Sequence, residues 1–516
     1  MITKIPFLAL VLLTNSMYTC AQFGTLDGDF DSDGRVITDF YGFTDRGNDV
    51  AIQSDGKILV VGEIEDANSW DFGVIRYWPD GSPDNSFSFN GNVSIDFDGS
   101  TDKAHAVAIQ SDGKIVVVGD ALVQGDYDFG IVRLHADGSL DQSFDIDGKK
   151  TIHYGGNAAN SFAYDVKIDG NGRILIVGRT NYSVTGYDFE IMCLNPDGSV
   201  DNNFGTLGHT HIDLGGSDEY WNALELLSDG RIIAVGYSNS SGNFELAMLT
   251  SNGMLDNNFS GDGLVSTDFN GSSDFAMDVV QQADSKILVG GYAFNQSYDF
   301  AMSRYNLDGS LDNNLSFDGK LTSDLSGAES NDQASCILLQ PDNKIILGGF
   351  SSNAGESDFG LVRYNSDGSL DNTFGSFGKV LTHMNSNDDG ISAIALQSDL
   401  RLVAAGYSFV NFATARYLTG LNVGIVEFAQ NPGLLIYPNP IEETTVLHFA
   451  LAENETVSID LIDANGALVQ QIVPQSMLLA GEHAQTISIS SELTAGAYFV
   501  VLSSPKGKTA IKVLKR

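Results

Sequence analysis

One unit recurs along this chain, and the recurrence limits the fold more than any other feature. Gln53-Ser-Asp-Gly-Lys57-Ile-Leu-Val-Val-Gly62 returns as Gln110 to Gly119, and weaker copies end at Gly178, Gly236, Gly291, Gly349 and Gly406. The anchors lie about 57 residues apart, so one supersecondary unit is built seven times. Each unit holds four strand-like pieces. Around Gly62 they are Asp49 to Gln53, Lys57 to Gly62, Asp71 to Tyr77 and Val93 to Phe97. Ser54-Asp55-Gly56 is a tight hairpin signal between the first two. No segment sustains a 3.6-residue period, so the chain reads as all-β.

Seven units of four short antiparallel strands predict a seven-bladed β-propeller. The ends of the repeat region carry the same message. The region opens mid-unit, with the strand Val36 to Phe40, and the last copy stops after Phe412 to Tyr417 without a fourth strand. The N-terminal strand is the piece the last blade lacks, which a closed ring requires and an open stack does not. Two loop sets, after the second and fourth strands of each blade, are expected to share one face of the disc.

Composition narrows the partners. Among 516 residues, 67 are acidic and 27 basic, for a formal net charge of -40. Nucleic acid and anionic membranes need a basic surface, so neither is the expected partner. Hydrophobic residues make up 42%, enough to bury a core. Cys193 and Cys336 fall at non-equivalent repeat positions and read as buried small residues rather than a disulfide.

The two ends of the chain read as addresses. Lys4 and the apolar run Ile5 to Leu13 predict a secretory signal over residues 1–21, with cleavage between Ala21 and Gln22. No other run is long and apolar enough for a transmembrane segment. The propeller is expected over 22–417, a linker over 418–433 and a separate module over 434–516. That module has strand-like alternations at Thr445 to Phe449, Val457 to Ile462, Gln485 to Ile489 and Ala497 to Leu502, which predict a small immunoglobulin-like β-sandwich.

The Asp-Phe-x-x-x-Arg-Tyr strands and the Asp-Gly-Ser-Leu-Asp turns, as at Asp308 to Asp312 and Asp367 to Asp371, resemble the delta-60 repeat family of exported bacterial β-propellers. Departures are Cys193 and Met248 where other copies have arginine, and His153 and His383 where Asp39 stands in the N-terminal strand. The resemblance implies a fold and supplies no catalytic residues. The module's start, Tyr437-Pro438-Asn439-Pro440, the strand opening at Gly496 with Tyr498, and the basic final strand with Lys512 resemble the type A sorting domain of the type IX secretion system. That resemblance implies a Bacteroidota cargo, taken by Sec into the periplasm and then by the type IX machinery to the cell surface or the medium.

Chemical signatures are few. No GxSxG, Walker, HExxH or paired CxxC pattern is present. His209 and His211 share one strand face. Asp27, Asp29, Asp31 and Asp33 alternate as hard oxygen ligands for calcium do, though Phe40 stands where an EF-hand needs its last acidic ligand. No other cofactor is expected. The repeated Arg76, Arg133, Arg304, Arg363 and Arg416 read as structural partners of repeated aspartates. The candidate ligand-binding residues are loop-face aromatics: Trp70, Tyr127, Tyr187, Tyr220, Trp221 and Tyr298. The expected function is a secreted or surface-held monomeric binding or scaffold protein with a glycan or protein ligand. The alternative is an exported polysaccharide hydrolase or lyase using loop-face carboxylates.

Overall fold

Seven four-stranded antiparallel sheets follow one another in the computed structural model. It describes residues 23–420 except 89, 155–158, 183–185, 216–217, 328–329, 354 and 385–387, and residues 434–515 except 438–443, 452–453, 463–467, 489–492, 494–495 and 505–506. The leader with Ala21 and Gln22, and most of the expected linker, fall outside those residues. Two compact units divide the chain, residues 1–420 and 421–516.

Blade 1 consists of Asp45–Ile52, Ile58–Glu65, Trp70–Tyr77 and Asn92–Ile95, paired in that order. Blades 2 to 6 repeat the pattern. Blade 7 takes Asp389–Leu396, Leu402–Ser408 and Asn411–Tyr417 from the C-terminal side and Arg35–Thr38 from the N-terminal side. Arg35 stands opposite Ala415 and Thr38 opposite Phe412. The permuted closure expected from the sequence is therefore the observed one.

The second strand of each blade is an unbroken apolar run because both of its faces are covered. Ile58, Leu59, Val60 and Val61 are all fully buried. Leu59 and Val61 pack with Val107 and Ile115 of blade 2, whereas Ile58 and Val60 pack with Val403, Ala405 and Phe412 of blade 7. Burying that apolar area between neighbours is what holds the sheets face to face.

The anchor glycine has a specific cause. Every first strand carries a bulge, at Asn48, His105, Tyr164, Asn222, Met277, Ser335 and Ser392. The bulge presses the first strand's backbone against the second. A Cβ on Gly62 would run into the carbonyl of Arg46, and one on Gly119 into that of Lys103. The glycine permits the bulge, and the bulge turns one extra side chain per blade into the central channel, whose wall includes all seven of these residues.

The C-terminal unit has a three-stranded sheet, Leu434–Tyr437, Thr444–Leu451 and Gly481–Ser488, and a four-stranded sheet ordered Leu468–Leu478, Glu455–Ile462, Gly496–Ser504, Gly507–Lys515. Leu447, Phe449, Ile459, Leu461, Tyr498 and Val513 fill a core drawn from both sheets, as in a sandwich. Of the sorting-motif residues, Tyr437 ends the first strand, Gly496 opens the strand whose Tyr498 is in the core, and Lys512 pairs in register with Phe499. Pro438, Asn439 and Pro440 fall outside the described residues.

Candidate functional site at the mouth of the channel

First strands line a central channel, a cavity of about 590 Å³ bounded by all seven blades. Its polar groups are unevenly placed. One position after the bulge stand Asp49, Asp165 and Asp278 in blades 1, 3 and 5, and Ala106, Ala223, Cys336 and Ala393 in the others. Each of these aspartates reaches into the next blade. Asp49 Oδ2 accepts the Val107 amide at 2.8 Å, Asp165 Oδ2 that of Leu224 at 2.9 Å, and Asp278 Oδ2 that of Ile337 at 2.8 Å. Two residues further along, Lys167 and Glu225 stand on adjacent blades, where the other five carry Ala51, Ala108, Val280, Leu338 and Ala395. Burial pushes Asp49 up to about 7, Glu225 to about 7 and Asp278 to about 6. Asp165, whose Oδ2 is 3.7 Å from Lys167 Nζ, holds the lysine above its ordinary value.

The mouth on the loop face is built from two repeat positions that face each other across the first and second strands. The residue after each anchor glycine is Glu63, Asp120, Arg179, Tyr237, Tyr292, Phe350 or Tyr407, and its partner is Arg46, Lys103, Phe162, Tyr220, Phe275, Gln333 or Gly390. One side of the mouth is aromatic. Tyr127 lies 5.3 Å from Phe162, and Phe162 5.8 Å from Tyr187. Tyr220 stacks on Tyr237 at 4.6 Å, Tyr237 meets Phe275 edge-on at 4.7 Å, and Phe275 stacks on Tyr292 at 4.7 Å. Tyr298 closes the arc against Tyr292 at 5.4 Å and Phe294 at 5.2 Å. Arg179 joins the two halves of the arc, its guanidinium 4.0 Å from the Tyr220 ring centre, 4.4 Å from Tyr187 and 5.0 Å from Phe162. These rings are partly exposed, not buried.

The other side is charged. Lys103 Nζ is 2.6 Å from Glu63 Oε2 and 4.7 Å from the Trp70 ring centre. His105 Nε2 is 2.8 Å from Asp120 Oδ2. Burial would lower the His105 imidazole, but Asp120 more than reverses this and holds it above its ordinary value. Arg46 lies over Tyr407 at 4.0 Å.

Five of the six aromatics singled out from the sequence thus lie around this mouth: Trp70, Tyr127, Tyr187, Tyr220 and Tyr298. The sixth does not. Trp221 is fully buried and stacks on Phe189 at 3.7 Å inside the sheet interface, because a one-residue step along a strand reverses the face a side chain points to. Sequence reasoning passed over Phe162, Arg179, Tyr237, Phe275 and Tyr292. The signal was available, since aligning the copies on the anchor glycine puts Arg179, Tyr237 and Tyr292 in one column.

Two of the aspartates expected to bind calcium, Asp27 and Asp33, meet arginines. Asp27 Oδ2 lies 2.8 Å from Arg416 Nη2 and 2.7 Å from Arg401 Nε. Asp33 Oδ2 lies 2.8 Å from Arg35 Nη2, and Asp31 takes positive φ in a turn. Guanidinium groups thus meet Asp27 and Asp33 of this run. Acidic clusters able in principle to chelate a metal occur elsewhere on the loop face, at equivalent blade junctions: Asp71, Asp96 and Asp102; Asp188, Asp213 and Glu219; Asp299, Asp324 and Asp332; Asp358, His383 and Asp389. His209 and His211 do share a face, but each meets a carboxylate, Glu190 and Asp188 respectively.

Residues 53–87, 110–144, 170–204, 227–259, 282–314 and 340–374 match the family model of a domain of unknown function (DUF5122) beta-propeller. Residues 435–516 match that of a secretion system C-terminal sorting domain. The chain is a β-propeller followed by a type IX sorting domain. The seventh copy is the one split between the two ends of the propeller, and it is absent from the matched stretches. The sorting domain, of type A, makes this propeller a cargo of the type IX translocon, exported through the periplasm to the cell surface. Among the described residues no helix is long and apolar enough to cross a membrane.

No curated protein matches the propeller cargo. Solved structures resemble it at low identity. Virginiamycin B lyase from Staphylococcus aureus is 11% identical, with 74% of this chain and 98% of that one covered at a TM-score of 0.42. A protein of unknown function from Dyadobacter fermentans is 11% identical, with 62% and 94% covered at 0.39. Sqt1 from Chaetomium thermophilum is 12% identical, with 75% and 100% covered at 0.38.

Proposed function

We propose that this protein is a surface-displayed or released binding propeller of the delta-60 class, whose ligand is a glycan seated on the mouth of the central channel. The division of that mouth into an aromatic arc over blades 2 to 5 and a charged arc over blades 1 and 2 carries the reading. Flat, partly exposed rings stack on the apolar faces of sugar rings, and neighbouring Arg46, Lys103, Glu63 and Asp120 offer directional hydrogen bonds to hydroxyls and acidic substituents.

A hydrolase or lyase is the less supported reading. The channel carboxylates with raised pKa are Asp49, Asp278 and Glu225, but Asp49 and Asp278 already tie neighbouring blades through backbone amides. A proton-transferring group that also holds the ring together is poorly placed to move a proton.

The test is a glycan array probed with the full chain and with Arg179→Ala and Tyr298→Ala variants. Binding by the parent protein and a loss of about tenfold or more in each variant, at unchanged melting temperature, supports the reading. Equal binding by parent and variants removes the arc as the site. Binding only to protein ligands in a parallel screen transfers the site to a protein partner.

A further inference from the structure

The acidic cluster between blades 3 and 4 contains a buried carboxylate oxygen that no described residue satisfies. Its three members come from separate segments. Asp188 lies in the third strand of blade 3, Asp213 just beyond the fourth, and Glu219 at the start of blade 4. One oxygen of each lies within 4.8 Å of the other two. Asp188 and Glu219 are fully buried, whereas Asp213 is exposed, so the cluster opens to solvent on one side. Glu219 Oε1 accepts the Leu214 amide at 2.9 Å. Glu219 Oε2 is buried and has no hydrogen-bond partner among the described residues. Such an oxygen is costly as a charged group unless a proton or a cation meets it.

We propose that Asp188, Asp213 and Glu219 bind a calcium ion at the junction of blades 3 and 4. The donors are all carboxylate oxygens, the choice of a hard cation, and their spacing accommodates calcium–oxygen distances of about 2.3–2.6 Å with waters completing the shell from the Asp213 side. The ion would bridge the two blades and reach the site from outside. His211 Nε2 lies 2.8 Å from Asp188 Oδ2 and holds that carboxylate in place.

Two of the three equivalent junctions are built differently. Between blades 1 and 2, both oxygens of Asp102 accept amides, from Phe97 and Leu122. Between blades 6 and 7, His383 stands where the other clusters carry a third carboxylate, its Nδ1 2.9 Å from Asp358 Oδ1.

The experiment titrates calcium into the full chain after chelator treatment, by calorimetry and by terbium luminescence, in the parent and in Glu219→Gln and Asp213→Asn variants. Glu219→Gln keeps the Leu214 hydrogen bond and should lose one calcium equivalent. Asp213→Asn alters an exposed ligand, so the fold is retained, and it should weaken that equivalent about tenfold. If Glu219→Gln does not fold, Asp213→Asn alone decides. Parent-like stoichiometry and affinity in Asp213→Asn, no binding by the parent at roughly 10 mM calcium, or equally tight magnesium binding would each overturn the assignment. None of these readouts depends on a glycan.

Discussion

Arg416 Nη2 lies 2.8 Å from Asp27 Oδ2, and this ion pair joins the last strand of the propeller to its first turn. Both side chains are buried, at 4% and 5% exposure. The same Arg416 donates to the carbonyl of Pro79 in blade 1. Every other blade that keeps this arginine makes the pair within itself. Arg76 Nε donates to Asp84 at 2.8 Å and Arg363 Nε to Asp371 at 2.8 Å. At the ring closure the aspartate has to come from the far end of the propeller.

Replacing Arg416 with Ala should therefore destabilise the whole ring, by about 3–5 kcal/mol, because Asp27 would be left buried beside Arg401 alone. Removing residues 22–41 should do more, since it also deletes the strand Arg35–Thr38. Thermal unfolding of both variants measures this. A melting temperature within a degree of the parent's would mean that the ring does not depend on its closing strand.

Blades 3 and 4 lack the repeated arginine, and a second arginine takes over its work. Arg173 Nη1 lies 3.3 Å from Asp201 and its Nη2 donates to the Ser251 carbonyl of blade 4 at 3.0 Å. Arg231 in blade 4 meets Asp256 at 3.1 Å. Changing Arg173 to Lys should cost about 1.5–3 kcal/mol. Adding Cys193→Arg should restore much of it, because the pair then copies Lys57 and Arg76 of blade 1. Additive destabilisation of the double variant would contradict the exchange.

Stability should pass through a maximum at roughly pH 4, near the ordinary carboxylate range, when calcium is absent. Burial raises Asp45 to about 6, Asp102 to about 7 and Glu219 to about 8. Between their ordinary values and these, the folded chain holds more protons than the unfolded one, so stability falls as pH rises toward 8. Asp371 behaves oppositely. Burial opposes its charge, but Lys344, Thr373 and Arg363 hold it down at about 2. Its contribution is present above the usual aspartate range and disappears as pH falls through 2. Melting temperatures across this range test the sign, and a rise from pH 5 to pH 8 in chelator would contradict it.

Deleting residues 434–516 should leave the propeller folded in the periplasm, since its ring closes with its own strand. Cell fractionation and immunoblotting of a type IX-competent host decide this. Truncated protein at the surface or in the medium would show that the C-terminal unit is not the export signal.

Much of the architecture was readable because it is written seven times. Period-2 patterning, Asp-Gly turns and the spacing of Gly62, Gly119 and their equivalents report on neighbours close in sequence, and averaging over copies suppresses noise. The mouth was harder to read. Tyr220 and Trp221 are adjacent and chemically alike, yet one lines the channel mouth and the other fills a sheet interface. The two alternate in register, but the bulge that follows at Asn222 shifts the phase of the rest of the strand, so the alternation downstream does not say which of the two faces the channel.

The chain's own order of residues determined the four strands of each blade, the blade count and the closure by an N-terminal strand, since these follow from local patterning and from where the repeat starts and stops. Tertiary structure decided which charges meet. Asp27 looked like a calcium ligand beside Asp29, Asp31 and Asp33, but folding carries it to Arg416 and Arg401, and those guanidinium groups take its charge. Glu219 carried no signal at all, and only the approach of blade 3 to blade 4 places it beside Asp188 and Asp213. Electrostatic partners are set by distances in space, which a linear pattern fixes only after every blade has docked.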